Sequence, residues 1–199
     1  MKKLLKIIIV CLLFVPSYAL ANKKNQNLQN IYTLLQEKNF DEGIKNLQIL
    51  SEQNNIDAQL LYSKILFTGD LTPQDFENSY FWGFSALLGG KKKASNILEK
   101  LKEYLTEEQI RDITTKLLEF LEKRAYEKDK RAIVQIAKIY EKFTEPPDLI
   151  NAYTWYNIAV AQGIKTAKSK RNEVLNNLNE KDLLDAQSLS IKLFKKINN

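Results

Sequence analysis

The sequence predicts an all-α protein built from repeated helical hairpins, and three observations carry that expectation. The 199 residues include only six Gly and four Pro, too few for the tight turns of an all-β chain. The chain overlays itself at an offset of 73 residues. Apolar residues recur at the three- and four-residue steps of a helical face, and strand-like alternation of useful length is absent from the pattern.

The overlay holds in one register. Ser79-Tyr80-Phe81-Trp82 falls on Ala152-Tyr153-Thr154-Trp155, Ala86 on Ala159, Gly90 on Gly163 and Ala94 on Ala167. Leu105-Thr106-Glu107-Glu108-Gln109-Ile110 falls on Leu178-Asn179-Glu180-Lys181-Asp182-Leu183, and Pro73 and Asp75 meet Pro146 and Asp148. A finer period lies inside it. Small residues open helical patterns at Ala58, Ala94, Ala132 and Ala167, spaced by 36, 38 and 35. Four positions before three of them stand Asn54, Gly90 and Gly163, residues that tolerate the left-handed backbone closing a helix. A period in the mid-thirties with two helices per unit has the size of the tetratricopeptide class.

Taken in chain order, the helices pair as 28–38 with 41–53, 57–68 with 74–89, 91–104 with 107–126, 129–142 with 148–162, and 164–177 with 180–197. Thr106 with Gln109 forms a capping box, and Asn179 with Asp182 a weaker version of it. Pro146-Pro147 stops one helix and suits the first turn of the next. In the last helix Leu183, Ala186, Leu189, Leu193 and Ile197 form one buried stripe. No linker divides the chain, so residues 22–199 read as a single helical-repeat domain.

Residues 1–21 read differently. Lys2, Lys3 and Lys6 precede an apolar run from Ile7 to Val15, Pro16 and Ser17 break it, and Ala19-Leu20-Ala21 offers small residues at a signal peptidase site. The run is too short for the roughly 20 residues of a membrane span, so a cleaved signal peptide and a periplasmic or secreted protein are expected. Losing the three lysines leaves 27 basic against 24 acidic side chains, a net charge of +3 instead of +6. The basic balance of the whole chain is therefore no argument for nucleic acid. Cys11 leaves with the same segment, so the remainder has no cysteine and no disulfide.

The strongest local pattern is Ala152-x-x-Trp155-Tyr156-x-x-Ala159-x-x-x-Gly163, matched by Ser79-x-x-Trp82-Gly83-x-x-Ala86-x-x-x-Gly90. Such spacing puts the small residues and the tryptophan on one face, where small side chains let a neighbouring helix approach and Trp fills the space between hairpins. Trp82 and Trp155 are therefore read as core. With Ala58-x-x-x-Tyr62-x-x-x-Leu66-x-x-Gly69 and Pro73-x-Asp75 before one copy, and Ala132-x-x-x-Ile136-Ala137-x-x-Tyr140 and Asp148 before the other, the pattern resembles a Sel-one-like repeat. The match is clear over 57–94 and 129–167. Ser63 and Ala137 stand where that family prefers glycine. The resemblance implies a right-handed α-solenoid of about five hairpins, no intrinsic catalysis, and an adaptor or binding role in an envelope or exported setting.

Chemistry points the same way. The absence of histidine excludes Ser-His and Cys-His catalysis and His-bound metals. A lysozyme-like transglycosylase would need a catalytic Glu followed by Ser, and no Glu here is. Glu107, Glu108 and Glu180 sit in first helical turns, where the dipole explains them. No cofactor, metal or nucleic-acid partner is expected. Lys91-Lys92-Lys93 is the one basic run after the signal segment, either solvated at a helix end or an anion contact. The expected function is binding of another protein along the first helices of the hairpins, with residues 91–126 marking one end. The alternative is a basic rim that engages anionic envelope polymer or lipid headgroups, a peripheral envelope contact. N-terminal sequencing of the exported protein should begin at Asn22; a chain retaining Met1 or the apolar run would refute the signal-peptide reading.

Overall fold

The computed structural model describes residues 27–198; the signal-peptide reading of residues 1–21 lies outside the described residues. Ten α-helices and one 3-10 turn make up the described chain, with no strand among them. They are α1 (Leu28–Gln36), α2 (Phe40–Glu52), α3 (Ile56–Thr68), α4 (Phe76–Leu88), α5 (Ser95–Leu101), α6 (Glu107–Tyr126), α7 (Lys130–Lys142), α8 (Leu149–Ala161), α9 (Ala167–Leu175) and α10 (Glu180–Asn198). The 3-10 turn, Lys92–Ala94, leads into α5. The chain is an all-α solenoid.

The 73-residue offset is visible in the helix starts. Phe76 and Leu149 open α4 and α8, and Glu107 and Glu180 open α6 and α10, each pair 73 apart. Within each copy the second helix is central: α4 packs against α3, α5 and α6, and α8 against α7, α9 and α10. The α1–α2 hairpin leads into the first copy by packing α2 on α3, and α6 hands on to α7. Three of the five expected hairpins form, α1–α2, α3–α4 and α7–α8, but α5 does not pair with α6 nor α9 with α10. The short α5 and α9 rest on the preceding central helix, and α6 and α10 pack on that same helix. The sequence pattern extended α5 over 91–104, whereas its last turn winds tighter, with Glu103 N–H bonded to Lys100 O and Tyr104 N–H to Leu101 O. That turn leaves Thr106 free to cap α6.

Local chemistry fixes the boundaries. Asp75 accepts the Asn78 backbone N–H at 3.0 Å and its side-chain amide at 2.6 Å, and Asp148 does the same for Asn151 at 2.9 and 2.7 Å. Thr106 and Gln109 form the reciprocal box, and Asn179 accepts the Asp182 N–H at 2.9 Å. Asn54, Gly90 and Gly163 have positive φ of 59°, 104° and 84°, closing helices as their residue types suggested. Lys38 and Lys128 do the same at 62° and 67° with no glycine to announce it.

Burial follows the repeat. Ala58, Ala86, Ala94, Ala132, Ala152, Ala159 and Ala167 are buried, as is Trp155 at 2% exposure. Ser63, in a glycine position of the resembled family, does not hold the helices apart. Its hydroxyl donates to Ser79 O at 2.8 Å, and the Ser79 hydroxyl donates back to Ser63 O at 2.8 Å. Gly83 makes room beside this clasp, since a Cβ there would lie 2.7 Å from Ser63 Oγ. In the second copy the corresponding residue is Tyr156. There Ala137 and Ala152 keep α7 and α8 close, and the buried Tyr156 hydroxyl donates to Glu141 Oε2 at 2.6 Å. Burial, then the Glu141 hydrogen bond, pushes the Tyr156 phenol well up, so it remains a donor at any working pH.

Trp155→Ala should destabilise the protein by ~3–5 kcal/mol, because it empties a closed space between α8 and its neighbours. Chemical denaturation of the variant measures this; unchanged stability would contradict the packing role.

Candidate functional site

An open groove of about 490 Å³ lies between α2, α3, α4 and α6. Its floor is aromatic: Tyr62 from α3, Phe81 and Trp82 from α4, and Phe120 from α6. Phe81 and Trp82 meet edge to face with ring centroids 4.8 Å apart, and Phe120 stands 5.7 Å from Phe81 and 5.8 Å from Trp82. Trp82 is 7% exposed. It is core, as expected, and its remaining edge is part of the groove. Burial, with Asp75 and Glu52 nearby, pushes the Tyr62 phenol up, so it stays a neutral hydroxyl.

The walls are charged. Lys116, Lys123 and Arg124 come from α6, with Glu127 just beyond its end, and Gln48 and Glu52 come from α2. Arg124 is held fast, bonding Glu127 at 2.9 Å, Asp129 at 3.4 Å and Gln53 O at 3.5 Å. Lys116 and Lys123, two turns apart on one face of α6, are exposed and make no ion pair among the described residues. An apolar floor between free ammonium groups can bury a side chain and neutralise an acidic neighbour.

A buried polar junction lies beneath the Arg124 wall. Asn54, in its left-handed turn, donates to Asp129 Oδ2 and to Gln135 Oε1, both at 3.0 Å, and accepts from Gln59 Nε2 at 3.1 Å. Gln135 in turn donates to Ser85 O at 3.1 Å. Asp129 also caps α7 by accepting the Arg131 N–H at 3.0 Å. The turn between α2 and α3 is thereby fastened to α7 of the second copy, which holds the groove walls in register.

The sequence-derived residues lie elsewhere, Trp82 excepted. The seven alanines and Trp155 are inside, and Gly69, Gly90 and Gly163 occupy left-handed turns, Gly69 with φ 74°. Lys91 pairs with Asp57 at 2.5 Å, while Lys92 and Lys93 are exposed in the 3-10 turn, outside the groove lining. The groove draws mainly on second helices, α2, α4 and α6, with Tyr62 alone from a first helix. The first-helix surface holds a smaller depression of about 290 Å³, where Ile56, Val134 and Ile164 lie among Lys130, Arg131 and Lys138. Lys138 donates to Leu88 O at 2.7 Å, and burial followed by Lys142 pushes its pKa down. Sequence reasoning missed Phe120, Lys116 and Lys123. Their signal was a second pattern on α6, offset from the buried stripe Ile113, Leu117, Leu121 and Ala125.

Among the described residues no cluster of three or more His, Cys, Asp or Glu is placed to hold a metal ion. No described helix is long and apolar enough to cross a membrane. No protein-family model matches the sequence. No curated protein matches it. Among solved structures the chain is similar to a protective antigen present in uropathogenic Escherichia coli strains, described as displaying an SLR fold. The identity is 18% and the TM-score 0.39, over 89% of this chain and 47% of that one. This chain thus spans about half the length of that antigen.

Asp129 ties the junction to the solution pH. Burial acts to raise its carboxyl pKa, but the Asn54 amide and the Arg131 backbone and guanidinium outweigh burial and hold it below the ordinary value. A folded pKa below the unfolded one of about 3.9 means that its stabilisation is present in full well above pH 4. It is lost as pH falls through the folded value. Asp129→Asn should cost ~1–3 kcal/mol at pH 7, and the gap from wild type should narrow toward pH 3. Urea unfolding at both pH values checks the sign; a gap that widened in acid would contradict it.

Proposed function

We propose that the chain is a non-enzymatic scaffold that binds another protein, outside the cytoplasm, after loss of residues 1–21. The observation that carries the binding role is the groove: an aromatic floor of about 490 Å³ flanked by two unpaired lysines on a rigid α6 wall. Repeat folds of this kind present one continuous surface instead of a catalytic cleft. The features that support export are those of residues 1–21, the basic start, short apolar run and small-residue cleavage site. The segment that best fits the groove carries an apolar anchor beside an acidic side chain. The anchor displaces water from Phe81 and Phe120, and the acid meets Lys116 or Lys123.

The test compares variants instead of relying on capture alone. The protein is used as bait on its own organism's envelope fraction, with partners quantified by mass spectrometry. Phe120→Ala and Lys116→Glu with Lys123→Glu should each reduce the same partner by about ten-fold, equivalent to ~1.4 kcal/mol, with helical content unchanged. Lys92→Glu with Lys93→Glu should leave it unaltered. Binding that ignores the groove changes, weakens steeply with salt and fails with the Lys92 and Lys93 changes would instead establish the anionic-polymer reading.

A further inference from the structure

We propose that the chain pairs with a second copy of itself through the outer face of α10, the two helices running antiparallel. The face shares no residue with the groove, so this inference stands apart from the reading above. Leu184 and Ile191 are 59% and 60% exposed, the two most exposed large hydrophobic residues in the described chain. They lie two helical turns apart on the side of α10 opposite its buried Ala186, Ser190 and Ile197. Beside Ile191 an apolar depression of about 200 Å³ opens between α8 and α10, lined by Ile158, Ala161 and Phe194 among others.

The repeat shows a helix seated along the α8 edge of this face, although the residue equivalent to Leu184 is the exposed Arg111. In the first copy α7 covers the corresponding surface of α4, with Gln135 donating to Ser85 O and Lys138 to Leu88 O. Shifted by 73 residues, Ser85 and Leu88 become Ile158 and Ala161, and Leu118 of α6 becomes Ile191. No element among the described residues covers that second surface.

The charge order of α10 selects the occupant. Its first half carries Glu180, Asp182 and Asp185 with a single Lys181, whereas its second half carries Lys192, Lys195 and Lys196 and no acid. A parallel copy would set like charges together. An antiparallel copy, with the twofold axis between Gln187 and Ser188, sets Glu180 against Lys195 and Leu184 against Ile191. Helix dipoles oppose favourably in the same arrangement. The small Ser188 at the centre lets the helices approach. A 19-residue helix is about 28 Å long, so the contact falls near the lower end of specific interfaces and the dimer is a weak, concentration-dependent one.

Sedimentation velocity over roughly 5–500 µM, on the protein in the form the cell accumulates, tests the pairing. A reversible monomer–dimer equilibrium is expected. Ile191→Asp should raise the dissociation constant by at least about ten-fold with an unchanged circular dichroism spectrum, since its side chain is largely exposed. Lys195→Glu alone should also weaken the dimer, and adding Glu180→Lys should restore it, a result that parallel pairing or a different face does not produce. A monomer throughout the range, a dimer indifferent to Ile191→Asp, or no restoration by the charge swap would overturn the proposal.

Discussion

The fold depends on one constraint: the central helix of each copy must touch three neighbours at once. A helix with that task is buried on nearly every side and has little room for long polar side chains. In α4, Ser79, Tyr80, Trp82, Gly83, Phe84, Ser85, Ala86 and Leu88 are all buried, and α8 is similarly enclosed from Ala152 through Ala159. Large and small residues therefore alternate around one axis. The tryptophans fill the gaps between hairpins, and the alanines and serines set the distance of closest approach. These two helices accordingly carry the clearest internal match. They are the places where substitution has the least freedom.

Where the copies differ, the groove appears. Phe81 projects between α4 and α6, and with Phe120 it builds an aromatic floor that leaves the space above it open. The corresponding residue of α8 is Thr154, whose hydroxyl donates to Ala186 O at 3.1 Å, while the Ser190 hydroxyl reaches Thr154 O at 3.4 Å. Small hydrogen-bonding residues draw α10 onto α8, so the equivalent space closes. One backbone plan thus gives an open aromatic groove in the first copy and a tight polar seam in the second. The Asn54 junction then fixes the two copies to each other, because its partners Asp129 and Gln135 both belong to the second.

The legibility of the sequence follows the same division. Helix ends were readable where a glycine or a capping residue marks them, as at Gly90, Gly163, Asp75 and Thr106. They were unannounced at Lys38 and Lys128, exposed lysines held in the left-handed region by local backbone bonds, with Asn39 N–H donating to Leu34 O and Asp129 N–H to Arg124 O. The buried alanines were readable because helical spacing reports burial. The groove was not, because its residues come from four helices, and no spacing within one helix shows which faces meet across the fold. The Lys116, Phe120 and Lys123 pattern on α6 looks like an ordinary solvated face until α2 and α4 are placed opposite it.

The repeat length matters for how such a surface arises. A period near 36 would make every hairpin equivalent. The structure repeats instead over 73 residues, with α5 and α9 laid against the central helices as short supports. That arrangement frees the longer α6 and α10 to present an outer face each, and the two faces have taken different chemistry. α6 displays aromatic and basic side chains toward a concave groove, whereas α10 displays two aliphatic side chains along a helix whose charge changes sign at its middle. A plan of central helices shared by the two copies, with divergent outer ones, lets the exposed chemistry change without disturbing the contacts that hold the solenoid together.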